Sequence, residues 1–256
     1  DGRQGADLVK LSASVMAHPA RSGEVAQLLA SLDREVPVHW DEQTGPPSGK
    51  ADRVWANARA GWMLADPDAD WHALIQDDAV PCRDFLAGLE RALEHVPADA
   101  VVSPYLGTGR TVPIRWEALA RAADTAGASW VRTQKLMWGV CIVLPVGMIP
   151  EMIQRADRRP GIPDDMRVAG WAEKTGREVW YPWPSLVDHR LVRSLTKHRA
   201  ADRVARRWHD GSALDLGWSG AVVTDPIMAR RRVERSGPSR LRSVRQGREK
   251  EGRNGA

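Results

Sequence analysis

Two rhythms of apolar and polar positions run along the first hundred residues. Leu8–Ala17 (LVKLSASVMA) is a run of β-branched and small apolar residues, and it predicts a strand that His18-Pro19 breaks. Val25, Leu28, Leu29 and Leu32 then fall at i, i+3, i+4 and i+7, the stripe of an amphipathic helix with Ser22 as its expected cap. Val36–Trp40 predicts a second short strand, ending in Asp41-Glu42, and the composition of Thr44–Lys50 (TGPPSGK) predicts a loop. Val54, Ala58 and Trp62 mark one face of a helix over Arg53–Leu64, and Asp66–Asp70 is a turn. Trp71–Ile75 is an apolar run that leads into Gln76-Asp77-Asp78, with Pro81 expected to stop the strand. The next helix is expected to begin near Asp84 and to carry Leu86, Leu89 and Leu93 on its apolar face.

This β-α-β-α-β order implies an α/β protein with a parallel sheet, helices covering it and right-handed crossovers. In the second half, Ala100–Leu106 predicts a strand placed near an edge by its proline. Gly107–Arg110 predicts a turn, and Trp116–Ala123 a helix that Gly127 stops. Trp138–Pro145 is the most apolar run there and predicts a buried strand, followed by a helix over Met148–Ala156. Asp164-Asp165 precedes an expected helix over Arg167–Lys174, and Glu178–Tyr181 predicts a short strand. After Pro184, SLVDHR reads as a polar segment carrying Asp188 and His189.

Composition narrows the class. A chain of 256 residues with 43% hydrophobic residues can bury a sizeable core. No window approaches the ~18 uninterrupted apolar residues of a membrane span, and DGRQGADLVKL lacks a signal-peptide core. Cys82 and Cys141 stand alone without zinc-like spacing, so a reduced, cytoplasmic setting is expected. The net charge of +4 owes much to the residues after Asp225, an Arg-, Gly- and Ser-rich stretch expected to be disordered. That stretch reads either as a contact for a polyanion or as a solubilising tail. Neither GxGxxG nor GxxxxGK[ST] occurs, and no RRM, helix-turn-helix or zinc signature is evident.

Three clusters then carry candidate chemistry: Asp77/Asp78, Asp164/Asp165 and Asp188/His189. Taken alone, an Asp pair before a helix is more often a cap, and a lone His is more often structural than a ligand. Together with HPAR (18–21), ADWHALIQDDAVPCRDF (69–85), MWGVCIVLP (137–145), PDD (163–165) and PSLVDHR (184–190), they form an ordered pattern across about Leu8 to Trp208. That pattern resembles glycosyltransferases of the GT-A fold, in particular small ones encoded by bacteriophages of actinobacteria.

The resemblance implies a GT-A-like (Rossmann-like), mostly parallel central sheet flanked by helices. It implies one catalytic domain over 1–224, with a donor-binding half at about 8–106 and an acceptor- and metal-completing half at about 107–215. The basic disordered tail would occupy 225–256. The implied activity is metal-dependent transfer of a sugar from a nucleotide-diphosphate sugar to an acceptor hydroxyl, with Mn²⁺ or Mg²⁺ as cofactor. Asp77 would face the ribose or sugar and Asp78 the metal, with His189 completing the metal shell. Asp165, or Asp164, would act as base toward the acceptor, Asp41 would read the nucleobase, and His18, Arg21 and Arg59 would lie near the donor. Gln76 stands where a strict DxD motif has its first acid, which leaves open which carboxylate takes which role.

The chemistry is consistent with this. A nucleoside diphosphate departs as a dianion or more, and a hard cation across its phosphates stabilises that charge. One carboxylate plus one imidazole is a sparse donor set that suits Mn²⁺ somewhat better than Mg²⁺. Inversion at the sugar would need a carboxylate to take the acceptor's proton. Of the 12 tryptophans, Trp138, Trp180 and Trp183 flank the site in sequence, and one is a candidate platform for a sugar ring. Two other readings stay open: a hydrolase of nucleotide sugars or phosphate esters using the same metal site, and a nucleic-acid-binding protein using the tail. The acceptor is open among a phage or host protein, modified DNA, a glycan and a small molecule.

Overall fold

The computed structural model describes residues 9–42, 49–108, 114–191 and 203–228. Most of the loop expected over 44–50, the end of the turn expected at 107–110 and the tail beyond 228 therefore lie outside the described residues. The chain divides into two units, Asp1–Asp225 and Pro226–Ala256, and every element below belongs to the first.

The first half follows its sequence rhythm. Strand β1 (Leu11–Ala17) leads through a 3-10 turn (Pro19–Arg21) into helix α1 (Ser22–Ser31), strand β2 (Val38–Trp40), helix α2 (Lys50–Trp62) and strand β3 (Trp71–Gln76). β1 lies between β2 and β3 and is parallel to both, with Leu11 opposite Trp71 and Met16 opposite Gln76. Parallel neighbours need long crossovers, and the two amphipathic helices supply them. Ser22 does not cap α1; it is the first helical residue, Arg21 holds the cap position, and no side chain caps that end.

β3 ends at Gln76 because the chain turns at Asp77-Asp78, not because of Pro81. Pro81 instead closes a second short strand, β4 (Ala79–Pro81). Helix α3 (Phe85–Leu93) follows. Asp84 precedes it in the left-handed region (φ 52°) and makes no capping bond. The cap comes from Asp33, whose carboxylate accepts from the N–H groups of Leu86 (2.8 Å) and Ala87 (2.9 Å).

In the second half come β5 (Val101–Val102), α4 (Ile114–Thr125), β6 (Trp130–Thr133), β7 (Cys141–Pro145), α5 (Ile149–Ala156), α6 (Asp164–Thr175), β8 (Val179–Pro182), β9 (Val187–His189) and β10 (Val222–Thr224). Gly127, just past α4, adopts φ 54°, the left-handed geometry that stops a helix at little cost in a glycine. The main sheet has eight strands in the order β10-β6-β8-β5-β7-β3-β1-β2. It is parallel at β10-β6, β8-β5, β3-β1 and β1-β2, and antiparallel at β6-β8, β5-β7 and β7-β3. The architecture is thus a mixed α/β fold with a central sheet flanked by helices. β10 carries the sheet to Thr224, past the boundary of about 215 expected for the second half.

Three further expectations change. β5 is only two residues long and lies in the middle of the sheet; Pro104 falls after its last paired residue, so no ladder bond is lost. SLVDHR is not a polar segment but contains β9, which pairs antiparallel with β4 in a separate two-stranded sheet. Trp130–Thr133 forms a strand where none was expected.

Each face of the sheet has its own core. Leu11, Ala13, Val15 and Ala17 of β1, with Trp71, Ala73 and Ile75 of β3, pack with Val25 and Leu28 of α1 and Phe85, Leu86 and Leu89 of α3. Met16 and Leu74 point the other way, with Trp55 and Trp62 of α2 and the apolar residues of α4, α5 and α6. The period of two along the strands fixes this division. On the second face His72 is buried between the hydroxyls of Ser12 (2.9 Å) and Ser14 (3.0 Å). Burial holds its pKa down at about 4, so it stays neutral near pH 7.

Candidate functional site

Strand register brings the first cluster together. Because β1 and β3 are parallel neighbours with Met16 opposite Gln76, the turn leaving β1 and the turn leaving β3 emerge at the same edge. The His18 backbone N–H donates to Asp77 Oδ2 at 2.8 Å. Its ring enters differently: Nδ1 accepts from the Ala20 N–H and so caps the 3-10 turn. That turn presents Arg21, whose Nη1 lies 2.5 Å from Asp77 Oδ1 and 2.5 Å from Asp78 Oδ2. β4 and β9 pair with Ala79 opposite His189, which sets His189 Nε2 3.3 Å from Asp78 Oδ2. The Arg190 N–H donates to the Asp78 carbonyl at 2.8 Å and completes the junction. Arg21, Asp77, Asp78 and His189 are all buried.

Burial and charge compete in this cluster. Burial disfavours the Arg21 cation, but the charges of Asp78 and Asp77 outweigh that and raise its pKa. Burial raises the Asp77 pKa, the nearby Asp78 charge adds to the rise, and Arg21 only partly opposes it. Burial also pushes Asp78 upward, yet the His189 hydrogen bond and the His189 and Arg21 charges reverse the sign, so its carboxyl sits below the ordinary value. The two adjacent acids are therefore inequivalent, with Asp78 the more firmly ionised.

Several polar atoms in and beside the cluster are buried without a hydrogen-bond partner: Arg21 Nε, Asp78 Oδ1, His189 Nδ1, Arg190 Nε and the Tyr105 hydroxyl. Tyr105 packs at 5.9 Å, edge-on, against Trp138 and at 6.5 Å against His189, so an aromatic row runs from the acid cluster to Trp138. Buried polar groups are rarely left unpaired, so this concentration marks a place built for something more than packing.

The second acid pair adjoins the first through Gln76. Asp164 and Asp165 form the first turn of α6 instead of preceding it. Gln76 Nε2 donates to Asp164 Oδ2 at 3.3 Å. The loop before β7 closes in from the other side: a Cβ on Gly139 would lie 2.9 Å from the Asp165 Cβ and 3.1 Å from Gln76 Nε2. Burial, with the neighbouring Asp165 charge adding to it, pushes the Asp164 pKa up to about 7. Asp78 of the first pair thus holds its charge beside His189 and Arg21, whereas Asp164 of the second pair titrates near neutrality.

Other predicted residues sit elsewhere. Asp41 leaves the end of β2 beside the exposed Trp40, and its N–H donates to the Ala17 carbonyl at 2.8 Å. Arg59 pairs with Asp157 at 3.2 Å, beyond the end of α5 and outside the acid cluster. Asp188 accepts from the N–H groups of His189 (2.8 Å) and Ala205 (2.6 Å), a structural role. Trp180 and Trp183 are buried, with their indole N–H groups on Glu178 (3.2 Å) and Asp124 (3.1 Å), so neither offers a ring face to a sugar. Trp138 is half-buried next to Gly139 and remains the candidate. Tyr105, Gln76 as a link and Gly139 were not singled out from sequence. The signals were Gln76's place before the acid pair and the MWGV motif.

Among the described residues no group of three or more His, Cys, Asp or Glu side chains could hold a metal ion. Asp78 and His189 lie side by side, 3.3 Å apart, and offer a carboxylate and an imidazole, donor types that suit Mn²⁺ or Mg²⁺ if a ligand and water fill the remaining positions. Among the described residues no helix is long and apolar enough to cross a membrane.

No protein-family model matches the chain, and no curated protein does. Among solved structures, the chain is similar to a Drosophila β-1,4-galactosyltransferase 7 mutant, in a complex with manganese, UDP-Gal and xylobiose. The identity is 13%, the match covers 81% of this chain and 84% of that one, and the TM-score is 0.45.

Proposed function

We propose that this chain is a glycosyltransferase of the GT-A type, moving a sugar from a nucleotide-diphosphate sugar to an acceptor hydroxyl. The observation that carries the reading is the convergence of Arg21, Asp77, Asp78 and His189 at the carboxyl ends of β1 and β3. That edge of an α/β sheet is where ligands bind. Through Gln76 the second, differently charged acid pair lies next to it.

The residues divide the work by their chemistry. The Arg21 fork matches the oxygens of a diphosphate. Asp78 and His189 would hold Mn²⁺ or Mg²⁺, which when bound stabilises negative charge on the departing diphosphate. Asp77, oriented by the His18 N–H, faces ribose or sugar hydroxyls, and Asp41 beside Trp40 reads the nucleobase. Asp165 takes the acceptor's proton, and Asp164, held up to about 7 by burial, keeps part of its proton beside it. Trp138 offers the acceptor an aromatic face. Arg59, engaged with Asp157, is given no donor role. The basic tail adds attraction to an anionic acceptor or carrier.

The test is release of nucleoside diphosphate from a panel of nucleotide sugars, with Mn²⁺ or Mg²⁺, with and without acceptors. One donor should be consumed, and Asp78→Asn should slow that by ~10²–10³-fold, the usual cost of losing one group that stabilises developing charge. Release that no acceptor accelerates would make the protein a hydrolase. Neither binding nor turnover of any nucleotide sugar would end the reading.

A further inference from the structure

The acid pair at the end of β3 already has a cation. One guanidinium nitrogen of Arg21 lies 2.5 Å from a carboxylate oxygen of each aspartate. All three side chains are buried, so solvent screens their interaction little. Two adjacent buried carboxylates without a counter-ion would attract any cation strongly, and Arg21 answers that attraction from within the chain. The other oxygen of the same carboxyl group, Asp78 Oδ1, is buried without a partner, as are His189 Nδ1, on the side of the ring away from Asp78, and the donor Arg21 Nε. The site therefore sets one guanidinium against two carboxylates and keeps both an acceptor and a donor without a partner.

We propose that Arg21 is a built-in competitor of the divalent cation for Asp77 and Asp78, so that the protein binds that ion tightly only together with a nucleoside diphosphate. The inference rests on the glycosyltransferase reading of this site. A dication entering beside Asp78 meets the fixed positive charge of Arg21 at short range, and the two repel. A diphosphate removes the conflict. Its oxygens accept from a guanidinium, whose planar fork favours phosphate, and Arg21 Nε is an unused donor for them. The same phosphates supply oxygen ligands that Asp78 and His189 alone do not, and their negative charge separates the two cations. Coupling of this kind is reciprocal: the factor by which nucleotide tightens the ion is the factor by which the ion tightens nucleotide.

The experiment measures Mn²⁺ binding to the full chain from the electron-paramagnetic-resonance signal of unbound Mn²⁺, with and without saturating UDP or GDP. For the wild type, one of the nucleotides should tighten Mn²⁺ by roughly 10- to 100-fold, within the usual range of coupling. Arg21→Gln, which removes the charge and keeps a polar side chain, should bind Mn²⁺ alone more than ~10-fold tighter than wild type and show a much smaller nucleotide effect. Arg21→Lys keeps the charge and should behave like wild type toward Mn²⁺ alone. Circular dichroism checks that the variants fold, with Arg21→Met in place of Arg21→Gln if the latter does not, and protein-free samples correct for Mn²⁺ held by nucleotide alone; a folded neutral variant that binds Mn²⁺ alone no tighter than wild type overturns the competition. Equal Mn²⁺ affinity with and without nucleotide in the wild type overturns the competition while leaving the metal site standing. No Mn²⁺ or nucleotide bound by the wild type under any condition removes the donor-site reading itself, and the competition with it.

Discussion

The same dipeptide, Asp-Asp, occurs twice in this site, and one acid of each pair, Asp78 and Asp164, is shifted in opposite directions. Asp77-Asp78 ends a strand and faces a buried guanidinium and an imidazole, and Asp78 is held below the ordinary carboxylate range. Asp164-Asp165 opens a helix, and burial, with the Asp165 charge adding to it, pushes the buried member Asp164 up to about 7 against the opposing hydrogen bond from Gln76. Residue identity is constant, so the neighbours alone set the charge state. Pairs of titratable groups whose surroundings drive their pKa values apart are the usual basis for assigning an anion-stabilising role to one and a proton-handling role to the other.

The largest expected break in this contrast is Asp165→Asn. It keeps the oxygen that accepts from the Met166 N–H (2.7 Å) and removes a proton acceptor. Transfer should fall by ~10²–10⁴-fold, the usual contribution of a general base, with nucleotide affinity unchanged when titrated separately. Asp164→Asn, which imitates the protonated form of an acid that titrates near pH 7, should alter transfer far less. Equal losses in both would erase the division of labour within the pair.

A smaller effect is expected from Gly139→Ala, which presses a methyl group against Asp165 and Gln76. Overpacking of this kind costs about 1–3 kcal/mol, seen as a lower denaturation midpoint, and transfer should fall with it because both acids' neighbours shift. An unchanged midpoint would mean that the loop before β7 yields without touching the second pair.

The smallest effect concerns pH. Asp164 has a folded pKa raised above its unfolded value, so its contribution to stability is complete below about pH 4 and is lost as pH rises through about 7. The stability of Asp164→Asn relative to wild type should therefore improve between pH 4 and pH 7 and level off above. His72 acts in the opposite sense over a similar window. Its depressed folded pKa of about 4 gives stability that is present above the unfolded value of about 6.5 and lost as pH falls. Both proteins carry His72, so it cancels in the comparison. Thermal melts across this range check the sign; a constant difference would mean that Asp164 is ionised like an ordinary carboxylate in the folded chain.

Much of the fold was legible because its causes are local. The i, i+3, i+4, i+7 stripe of Val25 to Leu32 and the apolar runs at Leu11–Ala17 and Trp71–Gln76 carry their own period, and the alternation of the two implies parallel pairing. Where the reading failed, the cause was distant. Val187–His189 is polar at two of three positions and becomes a strand only because β4 lies opposite it. β5 tolerates its proline because the ladder ends before Pro104, which depends on where β7 and β8 stop. The cap of α3 could not be read from its own residues because Asp33 reaches the helix end from another loop.

The amino-acid sequence by itself determined which chemistry was on offer: two acid pairs, a histidine downstream and an arginine after the first strand, each placed at the end of an apolar element by short-range periodicity. Only the tertiary structure decided who faces whom. The parallel register of β1 and β3 sets Arg21 on Asp77 and Asp78, and the β4–β9 pairing lays His189 beside Asp78. The end of β3 hands Gln76 to Asp164, and the loop before β7 brings Gly139 against Asp165. Charge state follows from those contacts, because burial and the sign of a neighbour a few ångströms away shift a carboxyl far more than its place in the chain does.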